Sequence, residues 1–350
     1  MRQERGRHLG DNPLIENKKI SADRASLLSV APMMDWTDRH CRYLHRQISR
    51  RVLLYTEMVT EQAVRRGDRA RLLGFDPAEQ PVALQLGGSD PAGLAEAARI
   101  GAACGYVEIN LNAGCPSDRV QSGCFGAVLM KSPPLVADCV AAMTEACAAE
   151  ITVKCRIGVD ADDPRAVLPR FLEAVASAGV RRVIVHARKA WLDGLSPKEN
   201  REIPPLDHAL VVEMKRAFPD LRIVVNGGID SLSQARGFLA LGLDGVMIGR
   251  AAYHAPHDVL AGADAAFWGD PTPAPTREAV VERMRPYIAR HLAAGGRLHS
   301  VTRHMLGLYA GRPGARSWRR VLSEGAHRAG AGLDLLDAAL AAVEAAPVAG

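Results

Sequence analysis

The 350-residue sequence lacks the features that mark disulfide-rich, zinc, iron–sulfur and membrane proteins. Its seven cysteines form no C-x-x-C pair and no regular framework, which argues against a zinc ribbon, an iron–sulfur site and a disulfide scaffold. No run of about 18 apolar residues is present, so neither a membrane span nor a signal peptide is indicated. We expect a cytoplasmic protein without a metal, and a disordered extension over the polar residues 1–25.

Lysine is absent from segment 277–328, which contains eleven arginines and three acidic residues. This segment therefore carries a net charge of +8, and the rest of the chain carries −3, within a total of +5. Arginine binds phosphate in a bidentate manner and stacks on bases, so the charge favours a nucleic acid as partner. The alternative is a solvated helical face, which is what most charge runs form.

Short β-branched apolar runs alternate with segments of helical period from residue 26 onward, which is typical of a parallel sheet. The runs predict eight strands at 27–32, 52–57, 81–86, 106–111, 151–156, 181–187, 222–226 and 245–249. Helices are predicted between them at 92–104, 133–148, 165–178, 206–217 and 232–241. Eight βα units indicate the α/β class and a (βα)8 TIM barrel over residues 26–268.

The pattern changes after Trp268. A proline-rich linker at 269–275 is followed by four segments of helical period at 276–294, 297–309, 316–328 and 333–345, with no strand between them. We predict a small all-helical C-terminal domain over residues 276–345.

Polar residues are predicted at the carboxyl ends of the strands, where TIM barrels carry their active sites. Met33 and Met34 follow the first strand, Glu57 ends the second and Gln85 lies in the third. Asn110, Asn112 and Cys115 follow the fourth strand, and Lys154 and Arg156 end the fifth. His186 and Arg188 end the sixth strand, Asn226 ends the seventh and Arg250 ends the eighth. Each has a structural explanation alone, but their coincidence at one end favours a shared pocket.

Two loops at this end suggest a phosphate site. The sequence NGG at 226–228 and the pair Gly249 and Arg250 leave backbone N–H groups open to close approach and add a cation. Gln85 and Lys154 can reach the carbonyl and nitrogen atoms of a flat heterocycle. Together these features indicate a phosphorylated planar cofactor such as FMN, for which a cation near the N1/C2 edge stabilises the reduced form.

Cys115 lies between Gly114 and Pro116 in the loop NLNAGCPSDRVQSGCFGAVLM, residues 110–130. The glycine permits unusual backbone angles and the proline restricts the residue before it, so the turn is rigid. Either a reactive thiol or a small buried cysteine fits this turn. Beside a flavin the thiol can act as general acid, because its unperturbed pKa of about 8.5 leaves it mostly protonated at neutral pH.

These motifs resemble those of the tRNA-dihydrouridine synthases, flavoenzymes that reduce uridine in the D-loop of tRNA. The resemblance extends from Ser29 to about Arg328 and includes APMMDWTDRHCR, the cysteine loop, VKCRIGVD, VNGGI, IGRAAY and GARSWRR. The run HARKAWLDGLSPKENREIPPL, residues 186–206, is similar to the A subfamily, which acts at positions 20 and 20a.

The resemblance implies a TIM barrel with bound FMN, NADPH as reductant, a helical domain that holds tRNA, and a chain that we expect to be monomeric. It implies that Cys115 donates a proton to C5 of uracil while the flavin delivers hydride to C6. The implied flavin contacts are Pro32, Met33, Met34, Gln85, Lys154, His186, Asn226, Gly227, Gly228, Gly249 and Arg250. The implied tRNA contacts are Asn112, Lys198, Arg201, Arg316, Arg319 and Arg320.

Two other functions fit part of the sequence. A flavin-dependent oxidoreductase acting on a free pyrimidine would share the cofactor contacts but would not need the +8 segment. A non-catalytic RNA-binding protein would need that segment but would have no use for Cys115, Lys154 and His186.

Overall fold

A computed structural model describes residues 26–117 and 123–346 of the chain. The predicted disordered extension over residues 1–25 lies outside the described residues. Within the described part of the chain, no helix is both long and apolar enough to cross a membrane.

Eight parallel strands close into a barrel in sequence order, with β8 paired to β1. The predicted (βα)8 TIM barrel is therefore confirmed, and each predicted strand lies within a few residues of an observed one. The strands are β1 (Leu28–Val30), β2 (Leu53–Thr60), β3 (Val82–Gly87), β4 (Glu108–Ala113), β5 (Glu150–Arg156), β6 (Arg182–His186), β7 (Arg222–Asn226) and β8 (Gly245–Ile248).

Two predicted strand ends were wrong. Glu57 does not end β2, because the strand continues to Thr60 after a register shift and pairs Met58 with Gln85 of β3. Asn110 and Asn112 lie inside β4 rather than after it. Backbone hydrogen bonds between strands form whether a side chain is polar or apolar, so a polar side chain that faces the barrel interior does not end a strand.

Helices cover the outside of the barrel. Those that connect successive strands are α1 (Arg39–Ile48), α2 (Glu61–Arg66), α3 (Arg69–Leu73), α4 (Pro91–Ala103), α5 (Pro133–Ala146), α6 (Pro164–Ser177), α7 (His208–Ala217) and α8 (Leu232–Ala240). The five predicted helices match α4 to α8. Helices α1 to α3, which follow the first two strands, were not predicted from the sequence.

The segment from residue 249 to residue 346 contains helices and no strand. It comprises α9 (Arg250–His254), α10 (Pro256–Leu260), α11 (Ala263–Trp268), α12 (Arg277–Ala293), α13 (Leu298–Met305), α14 (Ala315–Gly325) and α15 (Asp334–Glu344). The last four are the predicted C-terminal helices, and the predicted linker 269–275 contains no helix or strand. The division of the chain into two domains stays a prediction.

Two apolar clusters form the core. The smaller cluster fills the barrel interior and includes Leu53, Tyr55 and Met247. The larger lies between strands and helices and is continuous with the buried residues of α12 to α15, such as Trp318. The C-terminal helices are thus joined to the outer layer of the barrel by shared apolar packing.

Asp38 links the barrel to the C-terminal helices. Its carboxylate accepts hydrogen bonds from the N–H groups of His40 and Cys41 and so caps α1. It also accepts from Arg303 at 2.6 Å and lies 3.0 Å from Nε2 of the buried His304, both on α13. Burial raises the pKa of Asp38, but His304, the N–H of Cys41 and Arg303 outweigh burial and bring this pKa well below its ordinary value.

We predict that Asp38→Asn lowers the free energy of unfolding by about 2 kcal/mol at pH 7, because Arg303 and His304 lose an ionised partner. A carboxylate with a depressed pKa stabilises the fold above its unfolded pKa of about 3.9 and loses that effect as the pH falls below it. The wild type should therefore lose this contribution below about pH 4, and Asp38→Asn should lack that part of the acid dependence. Urea unfolding between pH 3 and pH 7 measures both.

Asp35→Asn is the matched control. It removes the same charge three residues away, where the exposed carboxylate forms no hydrogen bond or ion pair within the described part of the chain. Equal unfolding midpoints for Asp38→Asn and this control would refute the role of Asp38.

Candidate active site

The polar residues of the interior reach one end of the barrel because they share a strand face. On β4, Glu108, Asn110 and Asn112 alternate inward, and the register places Asn112 beside Lys154 of β5. The pairing continues from Arg156 to His186 of β6 and from His186 to Asn226 of β7. The predicted pocket residues therefore come together at the carboxyl ends of the strands.

Side-chain amides form a chain across three strands in the interior. Nδ2 of Asn112 donates to Oε1 of Gln85 at 2.9 Å, and Nε2 of Gln85 donates to Asn110 at 2.8 Å. Asn110 donates to the hydroxyl of Thr152, which in turn donates to Glu108. Since all of these groups are buried, their hydrogen bonds fix the orientation of each amide.

The loop that carries Cys115 is held from three sides. Oδ1 of Asn112 accepts from the N–H groups of Gly114 at 3.0 Å and Cys115 at 2.9 Å. Nε of Arg156 donates to the carbonyl of Gly114, and the carbonyl of Cys115 accepts from the N–H of Ala127 at 2.8 Å. The thiol is half-buried. This geometry favours a positioned thiol over a cysteine that only fills space.

Two cations lie beside this thiol without a carboxylate partner. Lys154 makes no hydrogen bond or ion pair within the described residues, and Arg156 binds only carbonyl oxygens there. Burial, reinforced by the charge of Arg156, lowers the pKa of Lys154 to about 8. Burial and the charges of Arg156 and Lys154 bring the pKa of His186 well below its ordinary value, so its imidazole is neutral. The interior end of the site therefore favours an anion.

The NGG turn after β7 fits closely against its neighbours. Gly227 has φ +111°, and a Cβ there would lie 2.5 Å from Cδ2 of His186. Gly228 has φ +70°, and its Cβ would lie 2.5 Å from Leu206. Both positions therefore need glycine. Ser231 accepts from the N–H of Gln234 and caps the start of α8.

Three arginines lie together at the rim. Arg250 pairs with Glu202 at 2.7 Å and donates to the carbonyl of Arg201. Burial and the charge of Arg250 lower the pKa values of both Arg188 and Arg201. Three guanidinium groups thus share one carboxylate, which leaves an excess of positive charge suited to a phosphate. Gly249 adds space, because a Cβ there would meet no atom closer than 3.8 Å.

The loop after β1 places the remaining predicted cofactor contacts. Pro32 and Met33 are half-buried, and Met33 packs against the cluster inside the barrel, whereas Met34 is exposed. Asp35 has φ +63°, donates its N–H to Glu57 and accepts at its carbonyl from Arg303 at 2.9 Å. The C-terminal helices therefore help to set the conformation of this loop.

These residues fit a phosphorylated planar cofactor. The amide chain and Lys154 offer donors and a desolvated cation at the interior end, and the rim arginines beside the NGG turn offer an anion site. No group of three or more His, Cys, Asp or Glu side chains within residues 26–117 and 123–346 is arranged to bind a metal.

The arginines of the basic segment fall into two groups. Several bind within the protein, among them Arg277 with Asp258, Arg285 with Asp337, Arg290 with Asp76 and Arg303 with Asp38. In contrast, the following exposed arginines on one face of α14 make no ion pair in the described part of the chain: Arg316, Arg319 and Arg320. The opposite face of α14 buries Trp318 and Leu322. The predicted tRNA contacts are thus available to a partner.

Two structural residues of the site were not assigned a role from sequence. Arg156 was placed at the rim, but the sequence did not indicate that it joins the cysteine loop to the carbonyls of Lys189 and Asn200. Asn200 is fully buried and fixes the loop after β6. Lys198 and Arg201, predicted to contact tRNA, are both exposed on this loop.

Comparison with known proteins gives a consistent result. A family model described as "Dihydrouridine synthase (Dus)" matches residues 29–345. A protein of Xanthomonas axonopodis pathovar citri named tRNA-dihydrouridine(20/20a) synthase is 57% identical over 323 residues, which is 91% of this chain and 96% of that protein. Proteins of the same name from Shewanella oneidensis and Synechocystis are 54% and 55% identical over 94% and 93% of this chain, and over 96% and 97% of their own lengths.

We predict that Asn112→Ala loosens the cysteine loop, because two backbone N–H groups lose their acceptor. The free energy of unfolding should fall by about 2 kcal/mol, and alkylation of Cys115 by iodoacetamide, followed by mass spectrometry of its peptide, should be faster. Asn112→Asp is the control for the loop contact alone: it keeps the acceptor oxygen, so alkylation of Cys115 should not become faster, although the lost donor to Gln85 should lower the free energy of unfolding. If Asn112→Ala leaves the alkylation rate of Cys115 unchanged, the loop does not depend on this amide.

Proposed function

The chain belongs to the dihydrouridine synthase family, and from this premise we propose that it reduces uridine to 5,6-dihydrouridine at positions 20 and 20a in the D-loop of tRNA, with FMN as cofactor and NADPH as reductant. The observation that carries the proposal is the position of Cys115. Asn112 binds its backbone N–H and Arg156 binds the carbonyl of the preceding Gly114, close to the buried Lys154 and His186.

FMN supplies hydride chemistry when bound, with NADPH as the source of electrons and C6 of uracil as the acceptor. The residues that would hold its ring are Pro32, Met33, Met34, Gln85, Lys154 and His186. The residues that would hold its phosphate are Asn226, Gly227, Gly228, Gly249 and Arg250. Arg188, which lies with Arg250 at the rim, would add a further cation to the phosphate site.

Each side chain then has a defined task. Cys115 donates its proton to C5 of the uracil and recovers one from solvent for the next turnover. Lys154 supplies positive charge beside the cofactor ring, and its pKa of about 8 keeps it mostly protonated at pH 7. His186, which is neutral, donates or accepts one hydrogen bond without adding charge.

The target base has to leave its stack in the folded tRNA before it can enter the barrel. Asn112, Lys198 and Arg201 lie at the mouth and would contact the nucleotides around it. Arg316, Arg319 and Arg320 would bind phosphates farther away and orient the tRNA without reading its sequence. This assigns tRNA binding to a helical domain over residues 276–345 of a monomeric protein. Since the substrate is tRNA and the thiol has to stay reduced, the proposal implies a cytoplasmic location.

An anaerobic absorption experiment tests the proposal. The purified protein should be yellow, NADPH should bleach the flavin band, and unmodified tRNA should restore it while dihydrouridine forms. Recovery with free uracil or uridine in place of tRNA would support the small-molecule oxidoreductase. A colourless protein that binds tRNA would support the non-catalytic RNA-binding protein.

We predict that Cys115→Ala slows the recovery of the flavin band on adding tRNA by at least about 100-fold, because a general acid contributes that much or more. Bleaching by NADPH and affinity for tRNA should be close to those of the wild type. Cys124→Ala is the control, since Cys124 is an exposed thiol in the same loop region. Normal recovery in Cys115→Ala would remove the proton-donor role.

We predict that replacing Arg316, Arg319 and Arg320 together by alanine weakens tRNA binding roughly 100-fold at about 0.1 M salt. The slope of log Kd against the logarithm of the salt concentration should fall by about two to three. NADPH oxidation with an artificial electron acceptor should not change. The matched control replaces three other exposed arginines that make no ion pair within the described residues, Arg99, Arg170 and Arg181. Equal losses in both triple variants would mean that net charge, and not this surface, determines affinity.

A further inference from the structure

The loop after β6 projects beyond the barrel rim. Residues beyond β5 and β6 continue to pair through their backbones. The N–H of Asp160 donates to the carbonyl of Ala190 at 2.7 Å, and the N–H of Ala190 donates to the carbonyl of Gly158 at 2.9 Å. Trp191 follows this extension, five residues after His186. Trp191 therefore lies on the loop at the carboxyl ends of the strands, and not inside the barrel where the target base would enter.

Buried polar groups fix the backbone of Trp191. Its N–H donates to Oδ1 of Asn200 at 2.7 Å, and its carbonyl accepts from Nδ2 of Asn200 at 2.9 Å. The next residue, Leu192, is buried and donates its N–H to Asp160 at 2.8 Å. The loop is anchored by Asn200 and Leu192, so the ring of Trp191 is not needed as its anchor.

As a whole residue, Trp191 is 38% exposed. Four large hydrophobic residues are exposed within the described residues: Met34, Trp191, Ile203 and Leu241. The first three lie on loops at the carboxyl ends of the strands, and only Leu241, at the end of α8, lies at the opposite end of the barrel. Apolar exposure is therefore concentrated on the face that receives the substrate, and Trp191 is its aromatic member.

The charges around Trp191 favour nucleic acid over an apolar protein partner. Nζ of Lys189 lies 5.3 Å from the ring centroid and donates to the carbonyl of Asp160 at 2.7 Å. Lys198 and Arg201 are exposed on the same loop, whose four cations over residues 187–206 exceed its three carboxylates, Asp193, Glu199 and Glu202, by one charge. An exposed aromatic ring among cations is the usual surface for an unstacked base and its phosphate, because every base has a π-face.

We propose that Trp191 is a stacking surface for an unpaired base of the tRNA, in a nucleotide near the uridine that is reduced. The inference rests on the proposed function, since it assumes that tRNA occupies this face. It adds a contact of a different physical kind, because stacking does not depend on charge neutralisation and is weakly affected by salt, whereas the arginine contacts are strongly affected.

The test compares Trp191→Ala, which removes the ring, with Trp191→Phe, which keeps an aromatic face. Binding of unmodified tRNA is measured by filter retention at two salt concentrations. Trp191→Ala should bind roughly ten-fold more weakly, and that ratio should be the same at both concentrations. Trp191→Phe should stay close to the wild type. Leu241→Ala is the control for the loss of an exposed apolar side chain away from the substrate face and should bind as the wild type does.

Tryptophan fluorescence gives an independent readout. The other three tryptophans, Trp36, Trp268 and Trp318, are partly or fully buried. tRNA should quench the emission of the wild type, and Trp191→Phe should lose most of that quenching while it retains affinity.

Three results would overturn the proposal: wild-type affinity in Trp191→Ala, an equal loss in Trp191→Phe and Trp191→Ala, or loss of flavin or of NADPH oxidation with an artificial acceptor in Trp191→Ala. The last would mean that the ring supports the fold or the cofactor site. Failure of the proposed function appears instead in the wild type, as absence of tRNA binding and of uridine reduction, and would remove this proposal with it.

Discussion

The hydrogen bonds of Arg156 hold the active-site loops together. Its guanidinium donates to the carbonyl of Gly114 in the cysteine loop, at 3.1 Å, and to those of Lys189 and Asn200 in the loop after β6, at 3.1 and 3.0 Å. Burial lowers its pKa to about 10, so it is still charged at neutral pH. One rigid strand residue thus positions both the thiol and the loop that carries the predicted tRNA contacts, and its charge adds to the attraction of the pocket for anions.

The charges of the site and those of the C-terminal helices act at different distances. Lys154 and Arg156 are desolvated, so their fields act strongly over a few ångströms and are little screened by salt. Arg316, Arg319 and Arg320 are exposed, and their contribution depends on ionic strength. A polyanion would therefore be attracted by the exposed group and aligned by the buried group. The proposed stacking on Trp191 would depend on neither group of charges.

The sequence was sufficient to predict the barrel and the positions of most residues at its rim. The β-branched runs specify strands because each is buried on both sides, and the polar residues at their ends mark the site. It was not sufficient for Glu57 and Asn110, whose polarity suggested strand ends although both lie within strands. The tasks of Arg156 and Asn200 could not be predicted, because their partners come from loops distant in sequence and depend on the tertiary fold. The positions of Cys115, Lys154 and the NGG turn could be predicted, since each lies directly in or after a strand.

The contacts around Asp38 limit how independently the barrel and the C-terminal helices could have changed in evolution. Arg303 of α13 binds both the carbonyl of Asp35 and the carboxylate of Asp38, and the ring of Tyr287 on α12 stacks on Tyr43 of α1 at 3.9 Å. The loop that carries Met33 and Met34 therefore takes part of its shape from the C-terminal helices. These helices cannot be exchanged for those of another barrel without altering the catalytic half. If these helices bind tRNA as proposed, a change in that binding and a change in the loop after β1 would have to arise together.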